Sequence, residues 1–284
     1  MSSTSHTGNQ GEEHREHAQS SSGSAAPRSP VSQLQLLTKD PQFYWFLGHV
    51  FILLGTFFYA LSSLNLGISI RAGLYWYRQT YFLIISSFVF ILYSDYIKLR
   101  IKHFTTPVAF LYDANVQYLI VSILWFIFAP FIGTLPPFAI FSFSHVLSFL
   151  HSHLLPALGY SSQSGLSVSI SNFLTTNTPA FMSTVANIEL FLLVRLTLAL
   201  FTFRLAAFIK FAVFLVFFRL RYQTSVYTYR VIQSWEVFID RTLSNPNIPI
   251  AVKEGWITFK GYVRNIFGTL LGGPTGFHAE EKNR

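Results

Sequence analysis

Apolar residues are concentrated in four long stretches of the chain. The first, residues 42–64, holds 23 residues without a formal charge, which is enough for a helix to cross about 30 Å of hydrocarbon. The second covers residues 79–97 and follows a short link, residues 65–78, that carries Arg71 and Arg78. Both stretches are predicted to be membrane-spanning helices.

The third apolar stretch allows two interpretations. Residues 116–155 are too long for one span and contain Pro136 and Pro137. Proline interrupts a helix because it has no N–H to donate and its ring restricts the residue before it. The preferred interpretation is a span over 116–135 followed by a re-entrant or interfacial segment over 138–155. The alternative is a hairpin of two full spans.

The fourth apolar stretch, residues 188–218, contains Arg195, Arg204 and Lys210. A cation at the centre of a bilayer costs a few kcal/mol. A single span over the whole stretch is therefore disfavoured against a shorter span with snorkelling cations, or two half-spans that dip from one face. Residues 156–186, uncharged and rich in Ser and Thr, are predicted to be a loop, and their lack of cations is compatible with the lumenal side.

Composition strengthens the membrane interpretation. The chain is 51% hydrophobic and only 11% charged, whereas soluble domains average roughly 25% charged residues. We predict an all-α integral membrane protein with about four membrane-embedded helical regions and C-terminal amphipathic helices. The predicted parts are a disordered polar tail (1–38), a multispan membrane domain (39–222), a cytosolic amphipathic helical region (223–273) and a polar tail (274–284).

Charge suggests an orientation and a counter-ion. The net charge is +8, and because the cations flank or interrupt apolar stretches, anionic lipid headgroups are a better partner than nucleic acid. The densest basic cluster beside a span, KLRIKH at residues 98–103, is predicted to face the cytosol. An even number of crossings then places both termini in the cytosol.

Residues 252–271 repeat apolar side chains at helical spacing. Plotted at 100° per residue, seven of them lie within about 60° of one direction. This stripe consists of Val252, Trp256, Phe259, Val263, Ile266, Phe267 and Leu270. Three cations, Lys253, Lys260 and Arg264, lie along one rim of it.

Such a basic amphipathic helix is typical of a segment that lies in a membrane interface. The stripe is predicted to insert into the membrane, and the rim cations to bind anionic headgroups or an acidic protein partner. The alternative is that the stripe packs on the protein's own bundle. A weaker amphipathic stretch at 226–243 could face either way; its apolar positions are Val226, Tyr229, Ile232, Trp235 and Leu243.

Candidate chemistry is sparse. The chain has no cysteine, which excludes thiolate catalysis and disulfides. His145, His151 and His153 could be metal ligands, but their spacing does not place them on one helical face, and no carboxylate lies within 30 residues of them. We interpret them as polar residues near a bilayer interface, with a His-dependent membrane metalloenzyme as the alternative. His49, alone in the first span, is predicted to make an interhelical hydrogen bond. No catalytic residue, metal or cofactor is predicted.

The order of these features resembles a known family. The matching stretches are QFYWFLGHVF at the first span, VQYLIVSILWF and PPFAIFSFSHVLSFLHSHLLP in the third region, and FFRLRYQTSVYTYR after the last apolar stretch. With the C-terminal amphipathic helix, they resemble the fungal pore-membrane nucleoporins and the animal "transmembrane protein thirty-three".

The resemblance implies a multi-pass, non-enzymatic protein of the endoplasmic reticulum (ER) and nuclear envelope. It implies a role in nuclear pore complex assembly or distribution, or in ER tubule shape and membrane curvature, without choosing between them. In fungal members a C-terminal amphipathic helix is associated with membrane and transport-receptor binding, a role that here falls on residues 251–271. The implied partners are the bilayer, pore components, and a transport receptor or reticulon-type protein. An adaptor that docks such a receptor is the main alternative to a lipid-binding helix.

Overall fold

The computed structural model describes residues 35–98, 107–128, 130–161 and 163–268. Within them the chain forms α-helices joined by short turns. The helices are α1 (Pro41–Ser63), α2 (Ile70–Leu92, prolonged by a π-helical turn, Tyr93–Lys98), α3 (Pro107–Leu111), α4 (Ala114–Ile127), α5 (Pro136–Phe149, prolonged by the turns Leu150–Leu154 and Leu155–Ala157), α6 (Gly165–Ala199), α7 (Leu205–Thr224), α8 (Val226–Leu243) and α9 (Ile250–Gly268).

Four helical segments of the described chain are long and apolar enough to cross a membrane: Pro41–Ser63, Ile70–Lys98, Pro136–Ala157 and Gly165–Thr202. Large apolar side chains on these helices, such as Phe57, Phe82 and Phe191, point outward and are exposed. Hydrocarbon is the solvent that suits such an apolar surface. Helices are stable in it because they satisfy their own backbone hydrogen bonds. The predicted all-α integral membrane protein is confirmed.

The helices run alternately between two ends of a bundle. At the proximal end, where α1 begins, Phe46 stacks on Phe149 near the end of α5 with ring centroids 4.5 Å apart. The end of α2 also lies there, because Ser94 and Asp95 line one cleft with Gln42 and Trp45 of α1. The start of α4 follows, since the Tyr96 hydroxyl donates to Asp113 Oδ2 (2.9 Å), and Asp113 caps α4.

The opposite, distal end holds the turn between α4 and α5. The Tyr77 hydroxyl, from the early part of α2, lies 3.3 Å from Thr134 Oγ1 in that turn. The Arg195 guanidinium, near the end of α6, lies 4.0 Å from the Phe131 ring centroid in the same turn. The four span-length segments of the described chain, which contain α1, α2, α5 and α6, therefore extend between the two ends.

The third apolar stretch contains a short helix and then a span, so the preferred interpretation of a span followed by a re-entrant segment is wrong. α4 has 14 residues, about 21 Å of helix, which is less than a bilayer core. The second half is the span-length helix Pro136–Ala157. Pro136 and Pro137 lie in its first turn, where a missing N–H costs nothing. The proline pair therefore begins a helix.

The predicted loop at 156–186 is also wrong, because most of it belongs to α6. Its hydroxyls support the helix: Thr175 and Thr184 donate to the carbonyls of Ser171 (3.0 Å) and Ala180 (2.8 Å). These bonds satisfy polar side chains within the helix itself. Its start lies at the proximal end, since Ser167 Oγ is 2.9 Å from His151 Nδ1. It therefore lies at the same end as the start of α1, and not on the opposite side.

The fourth stretch is divided between two helices, and the half-span interpretation is wrong for the first of them, because residues 188–199 belong to the span-length segment Gly165–Thr202. α6 ends at Ala199, and a turn containing Phe203, which has φ of 51°, leads into α7 at Leu205. The predicted link at 65–78 is shorter than expected, because α2 begins at Ile70 after Ser69, whose side chain caps it.

Candidate membrane-surface site

α8 is attached to the membrane bundle. Trp235 Nε1 donates to Asn187 Oδ1 of α6 (2.9 Å), and the Trp235 ring meets Phe191 edge-on with centroids 5.6 Å apart. Thr228 and Val231 on the same helix are buried. The apolar positions predicted for this stretch are all half-buried: Val226, Tyr229, Ile232, Trp235 and Leu243. For α8, the core-facing alternative is therefore correct.

α9 is held against α8 by a polar clasp. Asp240 of α8 accepts hydrogen bonds from Trp256 Nε1 (2.6 Å) and from Lys260 Nζ (2.8 Å). The Lys260 ammonium also lies 3.5 Å from Glu236 Oε1. We call these four residues, Glu236, Asp240, Trp256 and Lys260, the clasp. It fixes one edge of α9 through charged groups and leaves the rest of the helix surface available.

The predicted stripe on α9 is only partly covered. Val252 and Phe259 are 50% and 56% exposed, whereas Trp256 and Val263 are half-buried. The backbone of Ile266 and Phe267 continues the helix, but the side chains of these two residues and all of Leu270 lie outside the described residues. Where the stripe is described, the bundle does not cover Val252 and Phe259, so the alternative of full packing on the protein itself does not apply to them.

The rim cations differ in their surroundings. Lys260 is engaged in the clasp, and Lys253 is half-buried. The side chain of Arg264 lies outside the described residues. Sequence reasoning missed Glu236 and Asp240, because a stripe plotted on one helix carries no information about its neighbour.

A second polar centre is buried where α4, α6 and α7 meet. The Tyr118 hydroxyl donates to Glu189 Oε1 (2.7 Å), and Arg221 Nε lies 3.7 Å from Glu189 Oε2. The Arg221 guanidinium also lies 5.0 Å from the Tyr118 ring centroid. Sequence reasoning missed this group, whose members are 32 to 103 residues apart along the chain.

His49 and His151 contact different polar side chains. His49 Nδ1 lies 3.0 Å from Ser142 Oγ of α5, and its Nε2 lies 3.3 Å from Ser87 Oγ of α2, which confirms the predicted interhelical hydrogen bond. His151 contacts Ser167. Throughout the described ranges, no group of three or more His, Cys, Asp or Glu residues could hold a metal ion, so the three candidate histidines do not come together as a ligand set.

Fold and site together define the class: an all-helical, multi-pass membrane protein with a helical pair attached at one end of its bundle. Comparison with known proteins makes this more specific. The model of the family "Transmembrane protein 33/Nucleoporin POM33" matches residues 25–266, and this chain belongs to that family.

Curated relatives support the assignment along most of the chain. Tetra-spanning protein 1 of Schizosaccharomyces pombe is 30% identical over 251 residues, which is 83% of this chain and 88% of that protein. Nucleoporin POM33 of Chaetomium thermophilum is 26% identical over 257 residues, 83% of this chain and 89% of that protein. The pore membrane protein of 33 kDa of Saccharomyces cerevisiae is 26% identical over 247 residues, with 81% and 85% covered. No solved structure matches the chain.

Proposed function

We propose that this chain is a non-enzymatic membrane protein of the ER and nuclear envelope that contributes to nuclear pore complex assembly or distribution and to ER membrane shape. Two of the relatives carry nucleoporin or pore-membrane names, and four helices are long enough to anchor the chain in a bilayer. In this proposal the proximal end faces the cytosol, and α9 lies on the cytosolic leaflet, where it favours curved or anionic membrane.

The observation that carries the surface role is the exposure of Val252 and Phe259 on a helix that is tethered at the bundle end. α8 is fixed to α6 by Trp235, and α9 is fixed to α8 by the clasp. Exposed apolar side chains in water are unfavourable, and an interfacial helix removes them from water by burying its apolar face at the boundary between headgroups and acyl chains. Cations on the rim, Lys253 and Arg264, would then lie near lipid phosphates, each contributing about 1 kcal/mol next to an anionic leaflet.

The absence of cysteine makes a direct test possible. Phe259→Cys and Thr258→Cys place one thiol on adjacent, exposed positions that lie about 100° apart around α9, the first inside the apolar stripe and the second outside it. Each variant is labelled with an environment-sensitive fluorophore and reconstituted into small vesicles that contain anionic lipid. A label at 259 is expected to shift to the blue and to be quenched by spin-labelled acyl chains, whereas a label at 258 stays in water.

Two results would contradict the lipid-binding proposal. One is equal quenching at the two positions, and the other is no quenching at 259 in vesicles of any composition or size. If the 259 label is shielded only after a cytosolic extract is added, the adaptor alternative is supported instead, because the stripe then meets a soluble protein. Repeating the measurement with neutral vesicles isolates the contribution of the rim cations.

A further inference from the structure

Three cations come together at the distal end, around the turn between α6 and α7. Arg195 lies four residues before the end of α6, and Lys210 lies five residues after the start of α7, which is about 6–8 Å of helix from the turn. Arg204 is in the turn itself, just before α7, and is exposed. Lys210 lies close enough to both arginines to be repelled by their charges. We call Arg195, Arg204 and Lys210 the distal cation cluster.

No carboxylate of the described residues compensates this charge. The side chains of the cluster have no hydrogen bond or ion pair with a described residue. Glu189, the acidic residue nearest to Arg195 along the chain, is 2% exposed and lies beside Arg221. The sequence has no Asp or Glu in the three ranges that contain the distal turns, which are 41–94, 114–188 and 190–235.

Aromatic rings hold two of the cations in place without neutralising them. The Arg195 guanidinium lies 4.0 Å from the Phe131 ring centroid, and Lys210 Nζ lies 5.9 Å from the Phe128 ring centroid. Both rings belong to the end of α4 or the turn that follows it, so the two long side chains reach the same part of the distal end. A ring face attracts a cation but does not accept its N–H groups as an anion does. The cluster therefore has donors available for an anion.

Phosphate is the anion that suits this arrangement. Guanidinium groups donate parallel N–H bonds to phosphate oxygens, and an ammonium adds a compact charge. The surroundings restrict the source of that phosphate. Phe201, Phe203 and Leu205, which flank Arg204 along the chain, are 74%, 82% and 76% exposed. Acyl chains are suitable neighbours for such side chains, whereas a soluble phosphate ion would leave them in water.

We propose that the distal cation cluster binds the phosphate of an anionic phospholipid in the leaflet opposite to α9. Arg195 and Lys210 extend from the apolar stretch to the level of the headgroups, as long cationic side chains do near the ends of spans. Arg204 meets the phosphate at that level, and Phe203 and Leu205 lie against the acyl chains. This site is separate from the surface of α9, because the two lie at opposite ends of the bundle.

The test uses the full chain with Phe203→Cys, whose thiol carries a fluorophore beside Arg204. The chain has no other cysteine, so the label reports on the distal turn alone. Nanodiscs of phosphatidylcholine contain a minor fraction of lipid with a spin-labelled acyl chain, either phosphatidylglycerol or phosphatidylcholine. The quenching by the two labelled lipids gives their relative association with the distal turn. We expect phosphatidylglycerol to be favoured at least about ten-fold, because several cations each attract an anionic headgroup.

Paired variants separate charge from packing. Arg204→Gln should lower the preference for phosphatidylglycerol about five-fold, whereas Arg204→Lys, which keeps the charge, should stay within about two-fold of the unmodified cluster. Arg195→Gln, Arg204→Gln and Lys210→Gln together should make the two lipids quench almost equally. Arg71→Gln is the matched control, since it removes an exposed cation at the same end, in the first turn of α2. It should leave the preference unchanged.

The proposal is overturned if the two lipids quench the unmodified cluster equally, or if the triple variant keeps the preference. It is also overturned if Arg71→Gln or Arg204→Lys lowers the preference as much as Arg204→Gln does. Millimolar glycerophosphoglycerol, which has the headgroup without acyl chains, provides a further arm. A preference that persists in its presence supports a membrane lipid as the ligand. Complete loss of the preference assigns the cluster to a soluble phosphodiester and overturns the lipid assignment.

Discussion

Removing the buried carboxylate of Glu189 should be strongly destabilising. Glu189 is 2% exposed, and Arg221 Nε lies 3.7 Å from its Oε2 atom. At that distance, two unit charges attract by about 4–5 kcal/mol for an effective dielectric constant near 20. Glu189→Leu leaves the Arg221 charge in the bundle without this compensation, which typically costs about 3–5 kcal/mol.

The charge and the hydrogen bond at this position can be separated. Glu189→Gln keeps an oxygen that can accept from the Tyr118 hydroxyl, so its cost measures chiefly the missing charge. Tyr118→Phe removes only the hydroxyl that donates to Glu189 Oε1 (2.7 Å), and should cost about 1–3 kcal/mol because the carboxylate loses a buried donor. The double variant Glu189→Leu, Arg221→Met should recover most of the loss, since replacing a buried pair by apolar groups is often close to neutral.

The measurement is a reversible titration with sodium dodecyl sulfate in mixed micelles, followed by tryptophan fluorescence. Glu236→Gln is a suitable control, because the Glu236 carboxylate lies 3.5 Å from Lys260 in the partly exposed clasp, where pairs contribute at most about 1 kcal/mol. The reasoning is refuted if Glu189→Leu lies within about 1 kcal/mol of the unmodified chain. It is equally refuted if the double variant is no more stable than Glu189→Leu alone.

Three further predictions concern the clasp, the distal turn and the contact between α1 and α2. Asp240→Asn should raise the rate of amide hydrogen exchange in α9 several-fold and lower the free energy of unfolding by about 1 kcal/mol or less. Glu254→Gln, outside the clasp, should leave the exchange rate unchanged. Phe203→Cys, at a distal turn residue that is 82% exposed, should react with an impermeant maleimide from the membrane face opposite to α9, and labelling from the same face would contradict the distal position of this turn. Gly55→Val should cost about 1–3 kcal/mol in the same titration, because its Cβ would clash with Thr80; Gly48→Val, whose Cβ meets nothing within 4 Å, should cost far less.

Regular periodicity predicted the fold where one physical constraint dominates. The first span was expected at 42–64 and is Pro41–Ser63, and the weaker amphipathic stretch at 226–243 coincides with α8. The first span lies in hydrocarbon, so its sequence is continuously apolar. α8 is buried on one face only, so its apolar residues recur at helical spacing. Both signals lie within one segment, so the sequence alone contains them.

Residues 156–186 show why other parts could not be predicted. Ser and Thr favour loops in water because their hydroxyls compete for backbone groups, yet in α6 those hydroxyls bond to carbonyls of their own helix. The clasp could not be predicted for a different reason, because its residues meet only through the turn between α8 and α9. That turn brings Asp240 to within 2.6 Å of Trp256 Nε1. Such contacts depend on tertiary geometry, which residue spacing on a single helix does not specify.

The buried ion pair and the surface helix are connected through the same short part of the chain. The Ser225 N–H, just before α8, donates to the Arg221 carbonyl (2.8 Å). Asn187, whose Oδ1 accepts the hydrogen bond from Trp235 Nε1, lies two residues before Glu189. Loss of the ion pair should therefore loosen both attachments of α8 to the bundle. If so, Glu189→Leu will change the fluorescence of a label at position 259, although Glu189 lies outside α9. The double variant with Arg221→Met will restore the original fluorescence. An unchanged signal would show that Trp235 and the clasp hold the surface helix independently of the buried charges.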